Sequence, residues 1–246
     1  MKIYPKTIWT LSLAALLSVG NTAVMARGGF VELPGEFDES SNVIDNPWWP
    51  QNPGEVLIYI EQDDDECVIG VLDIVTTFDQ YMQTVNGIKV REVLDREFIH
   101  EVEDDEETVC DGDLEDVMDS EDDFELLEST LDWYAQDVDG NVWYMGEHTV
   151  ATDHDECDNP TDGVDPVHGI EGCLDGSWQA GYDIWEDEEN EEILGGIIML
   201  ADPEKGQFYF QEYWEDEATD MGKVLNFKTI DTFTAGEQEG CVMIKE

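Results

Sequence analysis

The chain has 246 residues, 62 of them acidic against 10 lysines and arginines, for a formal net charge of −52. That charge excludes nucleic acid and anionic membranes as partners, because both are held by basic side chains that displace counterions. Hydrophobic residues at 41% and aromatic residues at 10% exclude a disordered chain, so the acids must decorate a folded core.

The first segment, "MKIYPKTIWTLSLAALLSVGNTAVMA", places Lys2 and Lys6 before an apolar run from Ile8 to Val19, then small residues ending at Ala26. This is the pattern of a cleavable secretory leader, residues 1–26. The apolar run is shorter than the roughly 20 residues a spanning helix needs. A secreted or periplasmic location is expected, without membrane attachment after cleavage. Removing the leader takes two lysines and no acid, leaving 8 basic residues against 62 acids, a net charge of −54. Residues 27–55 read as an extended N-terminal segment and 56–246 as a single β-rich domain.

Strand signals dominate, and no long stretch keeps a 3.6-residue period. The predicted strands are Val56 to Glu61, Cys67 to Phe78, Ile88 to Ile99, Phe124 to Asp137, Val142 to Ala151, Ser177 to Tyr182, Leu194 to Leu200, Gln207 to Tyr213, Val224 to Ile230 and Cys241 to Lys245. The fold class expected is all-β, mainly an antiparallel meander forming a sandwich or open barrel, with long acidic loops. In the third strand, Ile88, Val90, Leu94 and Phe98 alternate with charged residues. Glu92 and Arg96 fall on the apolar side, so Arg96 either pairs with a neighbouring carboxylate or sits at an edge open to water.

In "DWYAQDVDGNVWYMGEHT", Asp132 to Thr149, an Asp-Gly pair separates two aromatic runs. A calcium loop of the EF-hand kind, counted from Asp137, would need Gly at 142 and Glu at 148, where this chain has Val142 and His148. A hairpin with a two-residue type I′ turn at Asp139-Gly140 is therefore expected. Pairing across that turn puts Trp133, Ala135, Val142 and Tyr144 on a core face. Tyr134, Gln136, Trp143 and Met145 fall on the other, where with Trp178 they either line a ligand cleft or lie under another layer.

Asp132 to Asp137 and Asp139 to Glu147 resemble the hallmark of a family of secreted bacterial proteins, DWYAQD followed by DGNVWYFGE, with Met145 in place of Phe. "NPWWPQNPG" (46–54), "GSWQAG" (176–181), "GIIML" (196–200) and "QEYWEDEATDM" (211–221) are similar to further stretches of that family. The resemblance implies a β-rich fold and secretion, and no activity. Family members continue into further strands where this chain stops at Glu246, which implies an open edge or an incomplete sequence. Extra acidic segments lie at 103–123, 153–175 and 184–192.

Segment 103–123 has thirteen acids in twenty-one residues and must be solvated. In a meander, the turn at 62–65, the tip at 103–123 and the loop at 153–175 share one end of the sheet, with Asp139-Gly140 at the other. Cys67, Cys110, Cys157 and Cys173 fall at that first end, which suggests disulfides Cys157–Cys173 and Cys67–Cys110, other connectivities remaining open. Cys241 is expected as a strand thiol or an intermolecular bridge. Hard divalent cations, calcium above all, take six to eight oxygens, and Asp111, Asp113, Glu115, Asp153, Asp155, Asp158, Asp162 and Asp165 offer them. Diffuse counterion binding and hydration in brine are the competing readings of the same acids.

Carboxylate pairs at glycosidase spacing are uninformative among 62 acids. His100, His148, His154 and His168 form no HExxH or His-x-His motif, zinc at His154 and Cys157 would compete with a disulfide, and no GxSxG or P-loop is present. The reading is a non-catalytic secreted protein whose partners are divalent cations. The alternatives are a carrier of a small apolar or sugar ligand, a protein that meets a cationic surface, and a secreted hydrolase.

Overall fold

A computed structural model describes residues 2–3, 35–58, 61–62, 66–70, 72–75, 84–101, 125–152, 157–185, 188–190, 193–213, 220–232 and 236–245. Among them there is no helix, and eighteen strands follow in chain order. They are β1 (Lys2–Ile3), β2 (Val56–Ile58), β3 (Glu61–Gln62), β4 (Glu66–Gly70), β5 (Leu72–Val75), β6 (Thr84–Val85), β7 (Ile88–Lys89), β8 (Arg91–Glu101) and β9 (Glu125–Gln136). Then come β10 (Val142–Ala151), β11 (Trp178–Gln179), β12 (Tyr182–Asp183), β13 (Glu188–Glu189), β14 (Leu194–Met199), β15 (Phe208–Phe210), β16 (Glu212–Tyr213), β17 (Met221–Thr232) and β18 (Gly236–Lys245). Every pairing is antiparallel except β1 with β2, and the main sheet does not close into a barrel.

The long strands β8, β9 and β10 form the middle of the main sheet, consecutive and antiparallel. The rest departs from a simple meander. β4 pairs with the far half of β8 and β5 with its near half, while β11 and β14 share the outer edge of β10. β8 is therefore flanked on both sides, which removes the edge reading of Arg96; its Nε is buried without a hydrogen-bond partner. β15, β17 and β18 form a separate three-stranded sheet.

The strand read as Ile88 to Ile99 is divided at Val90 into β7 and β8, and an Asn-Gly turn precedes it. Val85 pairs with Ile88, and Asn86 and Gly87 adopt positive φ of 48° and 75°, the geometry of a type I′ turn. At Asp139-Gly140 the expected type I′ turn is replaced by a three-residue loop, 138–140. Asp137 N–H donates to Asn141 O at 2.9 Å, Gly140 N–H to Asp137 O at 3.0 Å, and only Gly140 is left-handed, at φ +91°. This is a type I turn followed by a glycine bulge.

One extra loop residue changes the register and with it every facing. Trp143 lies opposite Ala135, and Tyr144 opposite Tyr134. The observed faces are Trp133, Ala135, Trp143 and Met145 on one side, and Tyr134, Gln136, Val142 and Tyr144 on the other, correcting the predicted sets. A second slip follows at Met145, where β10 bulges and Gly146 pairs with Trp133. Gly146 has φ +131°, and a Cβ there would lie 2.4 Å from the Trp178 carbonyl oxygen, so the bulge requires glycine.

Both faces are buried. Val85, Ile88, Val90, Trp178, Ala180 and Ile193 cover the Trp133 face. Ile44 and Trp49, from the N-terminal segment, cover the Tyr134 face, with Trp49 edge-on to Tyr134 at 4.7 Å. Asn46 fixes that segment. Its buried amide nitrogen donates to Gly140 O at 2.8 Å and Leu200 O at 3.2 Å, and its Oδ1 accepts from Trp48 N and Trp49 N.

Candidate functional site

The register brings the strand ends that flank the acidic connections together, as the meander argument expects. Glu66 of β4 pairs with Glu101 at the end of β8, Ile99 with Glu125 at the start of β9, and Glu128 with Ala151 at the end of β10. The strand ends that lead into 63–65, 102–124 and 153–156 therefore lie at one end of the sheet. The hairpin 137–141 lies at the other.

Loop 157–175 belongs to this acidic end. Cys157 and Cys173 form a disulfide with a Cα–Cα distance of 5.8 Å, as expected. Cys173 exchanges two backbone hydrogen bonds with Ala151 of β10, at 2.9 and 2.8 Å. Gly172 permits this approach, since a Cβ there would lie 2.3 Å from Ala151 O. Asp175 accepts from Asp158 N, Asn159 N and Asn159 Nδ2 at 2.9–3.0 Å. Cys67 pairs through its backbone with His100, Cys110 lies outside the described residues, and Cys241, of intermediate exposure, is in no disulfide among the described residues.

Of the eight carboxylates expected to hold a cation, Asp111, Asp113, Glu115, Asp153 and Asp155 lie outside the described residues. Asp158 and Asp162 are exposed on loop 157–175, whereas Asp165 is buried. Asp165 Oδ1 accepts from Val167 N at 2.8 Å and His168 N at 2.9 Å, and Oδ2 lies 3.1 Å from His148 Nε2. Although burial raises its pKa, these hydrogen bonds together hold it below the ordinary aspartate value. The loop thus brings together a group that sequence motifs missed. His168 stacks on His148, its Nδ1 lies 2.8 Å from Ser129 Oγ, and its Nε2 donates to the His148 carbonyl at 3.0 Å. Asp-x-x-His within one turn was visible in the sequence, but pairing it with His148 requires the loop to fold back across β10.

A second carboxylate group lies on the opposite face of the same strands. Asp132 and Glu147 are direct cross-strand neighbours, an arrangement in which like charges repel. The Tyr144 hydroxyl stands between them, 2.7 Å from Asp132 Oδ1 and 2.7 Å from Glu147 Oε2. A phenol has one hydrogen, so it donates to one carboxylate and accepts from the other only if that carboxyl is protonated. Burial, then the charge of Asp132, pushes the Glu147 pKa well above the usual range, with Glu128 and Glu212 adding to it. This favours the protonated form of Glu147, in which one phenol can bridge both acids. Burial, then the Asp132 and Glu147 charges, likewise raises the Tyr144 pKa well above normal. Glu212 is raised to about 7 by burial and by Asp220.

The five residues expected on a ligand face do not share one. Trp143, Met145 and Trp178 pack in the core on the Trp133 side, and Tyr134 in the core on the other. Gln136 clamps the N-terminal segment: its Oε1 accepts from Asp45 N and Asn46 N at 3.0 and 2.9 Å, and its Nε2 donates to Asp45 Oδ1. At the hairpin, Asp137 accepts from Asn141 N, Asn141 Nδ2 and Trp143 Nε1 at 2.8–2.9 Å, so both carboxylate oxygens are engaged with the protein.

No protein-family model, curated protein or solved structure matches the chain.

Proposed function

We propose that this is an exported, non-catalytic β protein that binds divalent cations, calcium foremost, through carboxylates gathered at the acidic end of its main sheet. The observation that carries this reading is the strand register, which brings the flanks of three acidic connections to one end. Loop 157–175, tied covalently and by backbone pairing to β10, adds Asp158 and Asp162 there. Export is supported by the leader-like N-terminus and the disulfide.

Calorimetric titration with calcium at constant ionic strength tests the reading. Saturable, stoichiometric heat that sodium does not reproduce is the expected result. An equal response to both ions would replace it with general hydration of an acidic surface in salt.

A further inference from the structure

We propose that His148, Asp165 and His168 bind one divalent transition-metal ion of the zinc class, closing loop 157–175 onto β10. This goes beyond the calcium reading, rests on different residues, and stands or falls separately. Two imidazoles and one carboxylate suit zinc-like ions rather than calcium, which takes oxygen ligands. One ligand atom from each of the three residues lies within 4.8 Å of the others.

Two of the ligand atoms already stand at a metal's bite. His148 Nε2 and Asp165 Oδ2 are 3.1 Å apart, and ligands about 2.0–2.2 Å from a tetrahedral zinc are separated by roughly 3.3 Å. The supporting contacts are also in place. Asp165 Oδ1 is held by the Val167 and His168 N–H groups, which leaves Oδ2 to face the ion. As the structure stands, His168 Nε2 donates to the His148 carbonyl and Nδ1 accepts from the Ser129 hydroxyl. An ion at Nε2 replaces the first bond and reverses the second, so that Nδ1–H donates to Ser129 Oγ. Metal-bound imidazoles are oriented by this kind of outer hydrogen bond.

Exchanging one neutral hydrogen bond is a small loss beside a metal–imidazole bond. Three protein ligands leave one position of a tetrahedral shell for water.

The test is zinc titration of the full chain against a competing chromophoric chelator, in excess calcium to occupy the exposed carboxylates. Cobalt(II) in place of zinc reports coordination by its visible absorption. One equivalent should bind, and His148→Ala should weaken it by about tenfold or more and alter the cobalt spectrum. His168→Gln should weaken binding likewise, and circular dichroism verifies that each variant folds. Zinc binding abolished by calcium, or unchanged in both folded variants, would overturn the proposal.

Discussion

At the hairpin end of the central strands, Asp137 sits among three donors, and Asn46 and Gln136 are satisfied by the backbone they clamp. Midway along the same strands, Asp132 and Glu147 face one another across β9 and β10, with Glu128 and Glu212 adding to the repulsion. The hairpin is a set of completed hydrogen bonds that specify a turn. The mid-strand pair sets two acids against one phenol, and burial favours the protonated form of Glu147. The comparison shows why the residue type alone says little in so acidic a chain: an aspartate's role follows from whether donors or other acids surround it.

Asp137→Ala is the most severe way to break this contrast. It removes three hydrogen bonds and leaves the buried Trp143 Nε1 unpaired, so urea unfolding should register a loss of about 3 kcal/mol or more. Opening the Cys157–Cys173 bridge, which spans 16 residues, should cost roughly 3 kcal/mol on the loop-entropy scale. The comparison of oxidised protein with the Cys157→Ser, Cys173→Ser double variant measures it.

The crowded acids should reveal themselves through pH. Glu147 and Glu212 hold protons in the folded state at pH values where the unfolded chain has released them. Folded protein therefore binds more protons than unfolded, and stability from this source is full below the ordinary glutamate value of 4.5. It is lost as pH rises through the folded-state values, about 7 for Glu212, with that of Glu147 also raised. Glu147→Gln, which keeps a partner for Tyr144, should flatten this decline in thermal melts across pH 4.5 to 8, while Asp137→Asn should leave its slope unchanged. The smallest effect belongs to Asp162→Asn. This exposed residue should alter stability by less than about 0.5 kcal/mol, yet weaken calcium binding if the loop carboxylates act together.

Much of the scaffold was legible in the sequence. Strand signals located β8, β9, β10 and β14, with clear alternation in β8, the meander argument brought the flanks of the acidic connections to one end, and the shared loop made Cys157–Cys173 the first choice of disulfide. The register was not legible, because Asp-Gly serves both two- and three-residue turns and only backbone conformation distinguishes them. Ser177 to Tyr182 was read as one strand, although Gly181, at φ +80°, turns it into the short pair β11 and β12. Asn86-Gly87, a turn signal of the same kind, lay between two strand assignments and was passed over. His148, Asp165 and His168 come together through a loop closure that no local spacing encodes.

The bulge at Met145 has a consequence for how the chemistry is partitioned. Four residues apart on a regular strand, Tyr144 and His148 would project from the same side; the inserted residue sends them to opposite sides. The phenol-bridged acids and the imidazole group are thereby insulated by the thickness of a sheet. A single-residue deletion there would be more than a local scar, since it would merge two chemically distinct neighbourhoods into one and carry every side chain from Glu147 to Ala151 across with it.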